Sequence, residues 1–516
     1  MTRQFKRLSV LIALVMVFGA IFTGCQGNGA TPDTSKPAAS EVPAATDSAT
    51  AAPKPDKLEP YQIDWLFLCN GNDERISLIE TAVNKILEEK INATIKINMQ
   101  SWNDHKAKVQ TLLSSGEKLD LVFTAQWWEY QNWSRLGYFR ELNDLIDQYA
   151  PETKKLLGED VFIKGSAING VNYAVPTLKE TCVPNGMVFN KVYLDKYNWD
   201  KNTIKKVADL EPWLAEIKSK EAGVIPYLND GGWADSPFTS IGITDDVMVY
   251  TDGRDTKVHN VWESPEKDAQ LKLARKWFEA GYYHPDVGTT GFNMNDTLAT
   301  GKFFAHSAPV KGENVKADEL QGLAPAGSDY VDVEFVESRY VNTLHMSGSM
   351  QAIPVTSKDP ARAMMFLELL HTDVDLINTL SFGIEGTHYT KTDKPGIIEL
   401  NKDNKFQEVL PQWMLGNVYL QYITTNEDPT KMEKLKTVSD NAKINFTTGF
   451  FFDPTPVEAE IAAINNIRSE LATPLNCGQV DPAKKADMIQ KLKDAGVDKV
   501  IAEAQKQLDD WMAKNK

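Results

Sequence analysis

From residue 58 onward the apolar positions switch between a period of two and a period near 3.6, and the switches mark out elements. Ile63–Leu68 reads as a strand, and Ile76, Ile79, Val83, Ile86 and Leu87 then fall on one helical stripe. Ala93–Met99 alternates, with Ile95, Ile97 and Met99 on one face, as a strand with one polar face would. Val109, Leu112 and Leu113 mark a second helix, and Leu119–Phe123 a third strand. Strand, helix, strand, helix, strand in so short a span predicts a parallel sheet with right-handed crossovers.

In open sheets of that kind ligands collect beyond the carboxyl ends of the strands. The three loops expected there are Asn70-Gly71-Asn72-Asp73, Gln100-Ser101-Trp102-Asn103-Asp104 and Gln126-Trp127-Trp128-Glu129. Aromatic faces beside amides and carboxylates suit a sugar: rings pack on the apolar C–H face of a pyranose, while polar groups take its hydroxyls. The competing reading is that these tryptophans fill a core.

Farther along, Ile168–Pro176 reads as a turn and strand pair, and Gly186–Lys191 as a strand. Leu210, Trp213, Leu214 and Ile217 form one apolar stripe. Tyr227-Leu228-Asn229-Asp230-Gly231-Gly232-Trp233 reads as a turn-rich loop, and the helix around Leu271–Phe278 stops at Gly281. The last part is mainly helical, with Val497, Val500, Ile501, Ala504, Leu508 and Trp511 on one face of a final helix.

The N-terminus sets the compartment. Arg3, Lys6 and Arg7 precede the apolar run Leu8–Phe22, which ends at Thr23-Gly24-Cys25, the layout of a secretory signal. The Cys directly after small residues resembles a bacterial lipobox, which implies lipidation of Cys25 and a membrane anchor. Residues 26–57, rich in Ala, Thr, Ser and Pro, cannot bury enough apolar surface to offset chain entropy and read as a disordered tether. A length of 516 residues accommodates more than one core, and a formal charge of -16 without any basic run argues against a nucleic-acid partner. Beyond Cys25 the remaining cysteines, Cys69, Cys182 and Cys477, are odd in number and widely spaced, which excludes a disulfide scaffold and a clustered zinc site. Asp245-Asp246 and Thr251-Asp252-Gly253-Arg254-Asp255 offer oxygens but lack the spacing of a calcium loop, so a solvated acidic loop is the better reading and no metal or cofactor is expected.

Several segments, in order, resemble the family 1 extracellular solute-binding proteins of carbohydrate ABC importers, and among them the long LplA-type lipoproteins. They are Leu119–Phe123 with Trp127, Leu136–Leu142, Gly170–Pro176, Val188–Lys191, Thr300–Ala305, Ala352–Pro354 through Lys358–Met364, Gly383–Tyr389, and Gly449–Pro454 leading into a C-terminal domain of unknown function. The resemblance implies an α/β, two-lobed periplasmic-binding-protein-like (type II) fold with a largely helical C-terminal extension. By analogy the lobes join through crossovers near Pro176–Val188, Gly301–Ser307 and Met350–Val355. The domains expected are 1–25 signal peptide, 26–57 tether, 58–176 plus 304–352 N-lobe, 177–303 plus 353–440 C-lobe, and 441–516 helical C-terminal region. The function implied is capture of an oligosaccharide by hinge closure and delivery to an ABC permease, by a monomer lipid-anchored on the outer face of the cell membrane. The residues expected in the cleft are Asn70, Trp102, Trp127, Trp128, Trp233, Glu385, His388, Tyr389 and Trp413. Glu385, His388 and Tyr389 enter because their Gly-bounded loop offers nothing apolar to hold them as core. Two rivals stand beside this reading. A secreted carbohydrate hydrolase also needs aromatics and paired carboxylates, and 71 acidic residues supply pairs by chance, but no HExxH, GxSxG or Walker A motif is present. A polymer-binding adhesion lipoprotein predicts internal repeats, and none is found.

Overall fold

A computed structural model describes residues 58–69, 75–289, 292–325, 327–335, 339–401 and 409–515. The expected signal segment, Cys25, the tether and Asn70 lie outside the described residues. No helix among the described residues is long and apolar enough to cross a membrane.

The N-terminal alternation does produce the predicted parallel sheet. Its strands run in the order Ala93–Gln100, Tyr61–Leu68, Leu121–Thr124, Met350–Ala352, Ala174–Pro176. Tyr61–Leu68 pairs in parallel with Ala93–Gln100 along its whole length and with Leu121–Val122 on its other side. Both faces of this strand are covered, Trp65 and Phe67 packing in one core and Leu66 with Val109 and Val122 in another, so Trp65–Leu68 is a continuous apolar run, buried throughout, whereas Ala93–Gln100 at the edge keeps Lys96 and Asn98 exposed. The helix Ile76–Ile91 covers one face with Ile79, Val83, Leu87 and Ile91.

A second sheet has the order Tyr330–Glu334, Asn185–Asn190, Phe303–Pro309, Ile225–Leu228. The middle pair is antiparallel, and Phe303–Pro309 runs parallel to Ile225–Leu228. Its core holds Met187, Phe189, Tyr227, Trp277 and Phe304 together with Leu214 and Ile217 from the expected amphipathic helix, Glu211–Lys220.

Sheet membership corrects the expected division of the chain. The segment assigned to the first lobe, 304–352, mostly belongs to the second, because Phe303–Pro309 and Tyr330–Glu334 both hydrogen-bond to Asn185–Asn190. Only Met350–Ala352 returns to the first sheet, antiparallel to both Leu121–Thr124 and Ala174–Pro176. Conversely, 353–401 and 409–424 do not join the second sheet. Ile353, Phe366, Leu370, Leu376, Leu380, Leu410 and Met414 are buried in the same core as Ile63, Trp65 and Phe67. The chain therefore passes from the first sheet to the second through 177–184, returns between Tyr330–Glu334 and Met350–Ala352, and leaves the first core for the C-terminal core through 425–446. The segments expected as crossovers near Gly301–Ser307 and Met350–Val355 instead contribute strands, Phe303–Pro309 to the second sheet and Met350–Ala352 to the first. One small buried cluster draws from all three crossings: Cys182 from the first, Val341 and Met346 from the second, Val438 from the third. The second and third are also tied by a parallel pairing of Tyr340–Val341 with Lys443–Ile444.

A third core lies under the C-terminal helices. Val497, Val500, Ala504 and Leu508 are buried along the helix Val497–Lys514, as the stripe predicted. This core also takes in Ile241, Val247, Val249, Trp262 and Leu271, which precede it by some two hundred residues. The region expected at 441–516 is thus completed by an insertion from within 177–303, whose strands Phe238–Thr244, Val247–Tyr250 and His259–Asn260 form their own sheet.

Candidate functional site

At the carboxyl edge of the first sheet, four of the predicted tryptophans meet in one cluster. Trp102 follows the strand Ala93–Gln100, Trp127 and Trp128 follow Leu121–Thr124, and Trp413 sits on the short turn Gln412–Met414. Trp102 and Trp127 stack with centroids 5.9 Å apart and 23° between planes. Trp128 meets Trp102 edge to face at 5.4 Å and Trp127 at 5.7 Å. Trp413 lies 6.3 Å from Trp127, and Phe123 beneath supports both rings at 6.0 Å and 6.1 Å.

The cluster is rigid and open at once. Trp127 is 40% exposed, an unusual state for the largest apolar side chain, while Trp102, Trp128 and Trp413 are half-buried against the core. Two of the rings are tethered. The Trp127 N–H donates to the Gly348 carbonyl at 2.8 Å and the Trp128 N–H to Nδ1 of His105 at 3.1 Å. Lys106 stands 4.4 Å over the Trp128 ring and pairs with Glu129 at 3.0 Å. Burial pulls His105 down to about 4, so it is neutral at physiological pH and its Nδ1 lone pair is free to accept.

The remaining predicted residues are placed elsewhere. Trp233 belongs to the second lobe, where it stacks on Trp277 at 6.0 Å. Glu385 is exposed and pairs with Lys391 at 2.9 Å. His388 is buried, its Nδ1 accepting from the Ile384 N–H at 2.9 Å, and Gly383 at φ +88 makes room for its ring. Tyr389 is buried with Phe382 and Ile398, and burial pushes its hydroxyl up to about 12. The premise that nothing apolar holds this loop is therefore corrected: it folds into a small sheet with Ile397–Leu400 and Ile423–Thr424 around a core of its own.

Sequence reasoning missed a buried ionic group at the first crossing. Lys311 lies 3.4 Å from Glu180 and 3.5 Å from Glu319, Lys316 lies 3.1 Å from Glu319, and Lys179 lies 3.7 Å from Glu180. Burial works against ionising Glu319, but Lys311 and Lys316 outweigh it and hold the carboxyl at about 2. Burial lowers Lys179, whose compensation is weaker. Lys179 and Glu180 lie about 130 residues before Lys311, Lys316 and Glu319, and no local pattern links the two groups.

The loop weighed as a calcium site is closed by the chain's own cations. Nε of Arg254 holds both oxygens of Asp252, at 3.0 and 2.9 Å, its guanidinium lies 4.4 Å over Tyr250, and Asp246 pairs with Arg468 at 3.0 Å. Among the described residues no group of three or more His, Cys, Asp or Glu side chains is arranged to hold a metal ion.

A family model described as bacterial extracellular solute-binding protein matches residues 81–379, and one described as a domain of unknown function, DUF3502, matches 446–513. A carbohydrate ABC transporter substrate-binding protein of Streptococcus pneumoniae serotype 4 is 28% identical over 478 residues, covering 91% of this chain and 94% of that protein. The crystal structure of the N-glycan transport solute binding protein NgtS from Streptococcus pneumoniae superposes with a TM-score of 0.79 at 28% identity, over 89% of this chain and all of the other. The same protein in complex with Man5GlcNAc gives 0.75. The Streptococcus pneumoniae substrate binding protein FusA in complex with kestose shares the fold, with a TM-score of 0.60 at 16% identity over 88% of this chain and all of that one.

Proposed function

This chain belongs to the bacterial extracellular solute-binding proteins, and from that premise we propose that it captures an oligosaccharide between its two lobes and delivers it to an ABC permease. It is a binding protein and not an enzyme. The observation that carries the sugar reading is the four-tryptophan cluster at the carboxyl edge of the first sheet, with Trp127 40% exposed. Such a ring offers its face to the C–H side of a pyranose, and the loops around it supply amides and hydroxyls.

In the proposed cycle the ligand first lies on the tryptophans of the first lobe, and the second lobe then closes over it. Closure turns about the bundle of three crossings, whose shared cluster of Cys182, Val341, Met346 and Val438 keeps them moving together. The lipid on Cys25 and the tether 26–57 hold the receptor outside the cell near its permease, raising its effective concentration there. Because a 28% identical relative is named for N-glycan transport, mannose- and N-acetylglucosamine-containing oligosaccharides are the first ligands to try.

The test is a thermal-shift screen of oligosaccharides followed by calorimetric titration. A ligand that binds only the folded state raises the melting temperature in proportion to the logarithm of its concentration. The proposal predicts such a shift for at least one oligosaccharide, a smaller shift at the same concentration in Trp127→Ala, and recovery of the sugar unchanged. A protein that hydrolyses the sugar, or that shifts equally with Trp127 removed, is not the receptor described.

A further inference from the structure

Trp233, the one tryptophan of the expected set that lies away from the cluster, lines a pocket of about 620 Å³ on the second lobe. Its walls come from the loop after Ile225–Leu228, the start of the helix Pro265–Glu279, and the C-terminal helix Glu458–Asn476. Arg468 and Asn476 of the C-terminal region line it and no residue of the first lobe does, whereas the tryptophan cluster is built on first-lobe loops. The volume lies within the range of small-molecule sites.

We propose that this seam between the second lobe and the C-terminal region is a second binding site, for a neutral, hydroxyl-rich ligand such as one or two sugar units. Three features select that chemistry. The half-buried Trp233 ring is fixed by stacking on Trp277 and stands beside Phe238, Met248 and Leu273, which gives an apolar wall. The charges in the lining cancel, with Asp235, Asp245 and Glu266 against Arg254, Lys267 and Arg468, and most are already engaged. Arg468 pairs with Asp245, Arg254 lies 3.5 Å from Glu266, and Lys267 donates to Gln270 at 3.0 Å. A charged ligand would have to break one of these pairs, whereas hydroxyls can bridge them. Finally, Asn476, whose buried Oδ1 has no hydrogen-bond partner, places an amide in the wall.

This site goes beyond the transport reading, and its test keeps the two apart. The full chain carrying Trp127→Ala, which weakens the proposed cleft, is titrated with N-acetylglucosamine and with the disaccharide Man1GlcNAc by ligand-detected NMR. Saturable binding of either sugar is expected to remain in that variant. It is expected to weaken about tenfold or more when Ser236→Trp, an exposed position at the pocket wall, is added to block the pocket. Asn476→Leu, of similar size but without the amide, should weaken it as well, with the melting temperature as a check on folding. Absence of binding in the Trp127→Ala protein at tens of millimolar sugar, or binding untouched by Ser236→Trp, overturns the second site. Neither result bears on whether the unmodified cleft binds an oligosaccharide.

Discussion

The indole nitrogen of Trp127 donates to the carbonyl of Gly348 at 2.8 Å. This joins the most exposed ring of the tryptophan cluster to the segment 339–349, which leads the chain back into the first sheet at Met350–Ala352. A ligand pressing on the ring therefore presses on a crossing. Trp127→Ala should lower oligosaccharide affinity about tenfold or more while costing about 1 kcal/mol of stability, since 40% of the residue is already in water. Trp127→Phe keeps a face for stacking but loses the hydrogen bond, and should fall between. Calorimetric titration paired with urea unfolding measures both quantities. Equal affinity in all three proteins removes Trp127 from the site.

Acid should loosen the same cluster through His105. Its folded pKa of about 4 lies below the ordinary 6.5 because burial disfavours the charged ring. The unfolded chain therefore takes up the proton first. The contribution of His105 is complete above pH 6.5 and is lost as pH falls from there to about 4, a change of about 3 kcal/mol at most. Protonation also ends the acceptance of the Trp128 N–H by Nδ1. Urea midpoints at pH 7 and pH 4.5, compared between the wild type and His105→Gln, should show a shallower loss in the variant. His306 and His345, pulled by burial to about 4 in the same way, are common to both proteins and cancel in the comparison.

What could be read from the chain follows the range of the forces involved. The first sheet was legible because each strand announces itself within a few residues: Ile95, Ile97 and Met99 alternate, and Ile79, Val83 and Leu87 recur at helical spacing. The loops bearing Trp102, Trp127 and Trp128 were legible for the same reason, since a parallel sheet fixes which ends of its strands share an edge. Which lobe a later strand joins is decided by hydrogen bonds to partners more than a hundred residues away, as Phe303–Pro309 joins Asn185–Asn190, and nothing local records that choice. The loop Gly383–Tyr389 misled because its apolar partners, Phe382, Ile398 and Tyr422, include residues that only the fold brings near. The Lys311–Glu180 pair was invisible because charges scattered in sequence carry no period.

Glu180 joins the crossing 177–184 to the second lobe through Lys311 and is itself 3% exposed. Lys311 and Lys179 keep it ionised against the opposing effect of burial. Glu180→Gln leaves Lys179 without a carboxylate and Lys311 with Glu319 alone. Removing one partner of a buried pair costs about 3–5 kcal/mol, mostly from the charge left behind. Chemical denaturation should show a loss of that order. The paired change Glu180→Gln with Lys179→Met should recover part of it, because the uncompensated cation is then gone. No recovery would mean that Lys179 is hydrated and was never paired in effect.

The C-terminal region should not behave as a detachable module, because its core is incomplete without Ile241, Val249, Trp262 and Leu271 from the insertion in the second lobe. The joint itself is close. Gly478, at φ +74, sits so near the backbone of Ala274 that an added Cβ meets its carbonyl, and Arg275 donates to the carbonyls of Gly478 and Gln479 at 3.1 and 2.9 Å. Gly478→Ala faces both a left-handed backbone and a collision with main chain, which side-chain rotation cannot relieve, and should cost about 2 kcal/mol or more. A fragment spanning 446–515 should lack a cooperative melt, and the chain truncated before 446 should aggregate through the apolar surface it uncovers. Circular dichroism melts of the fragment and light scattering of the truncation decide the matter. A sharp transition in the isolated fragment would show that its helices find a sufficient core among themselves, and that the shared residues are an addition to a domain already folded.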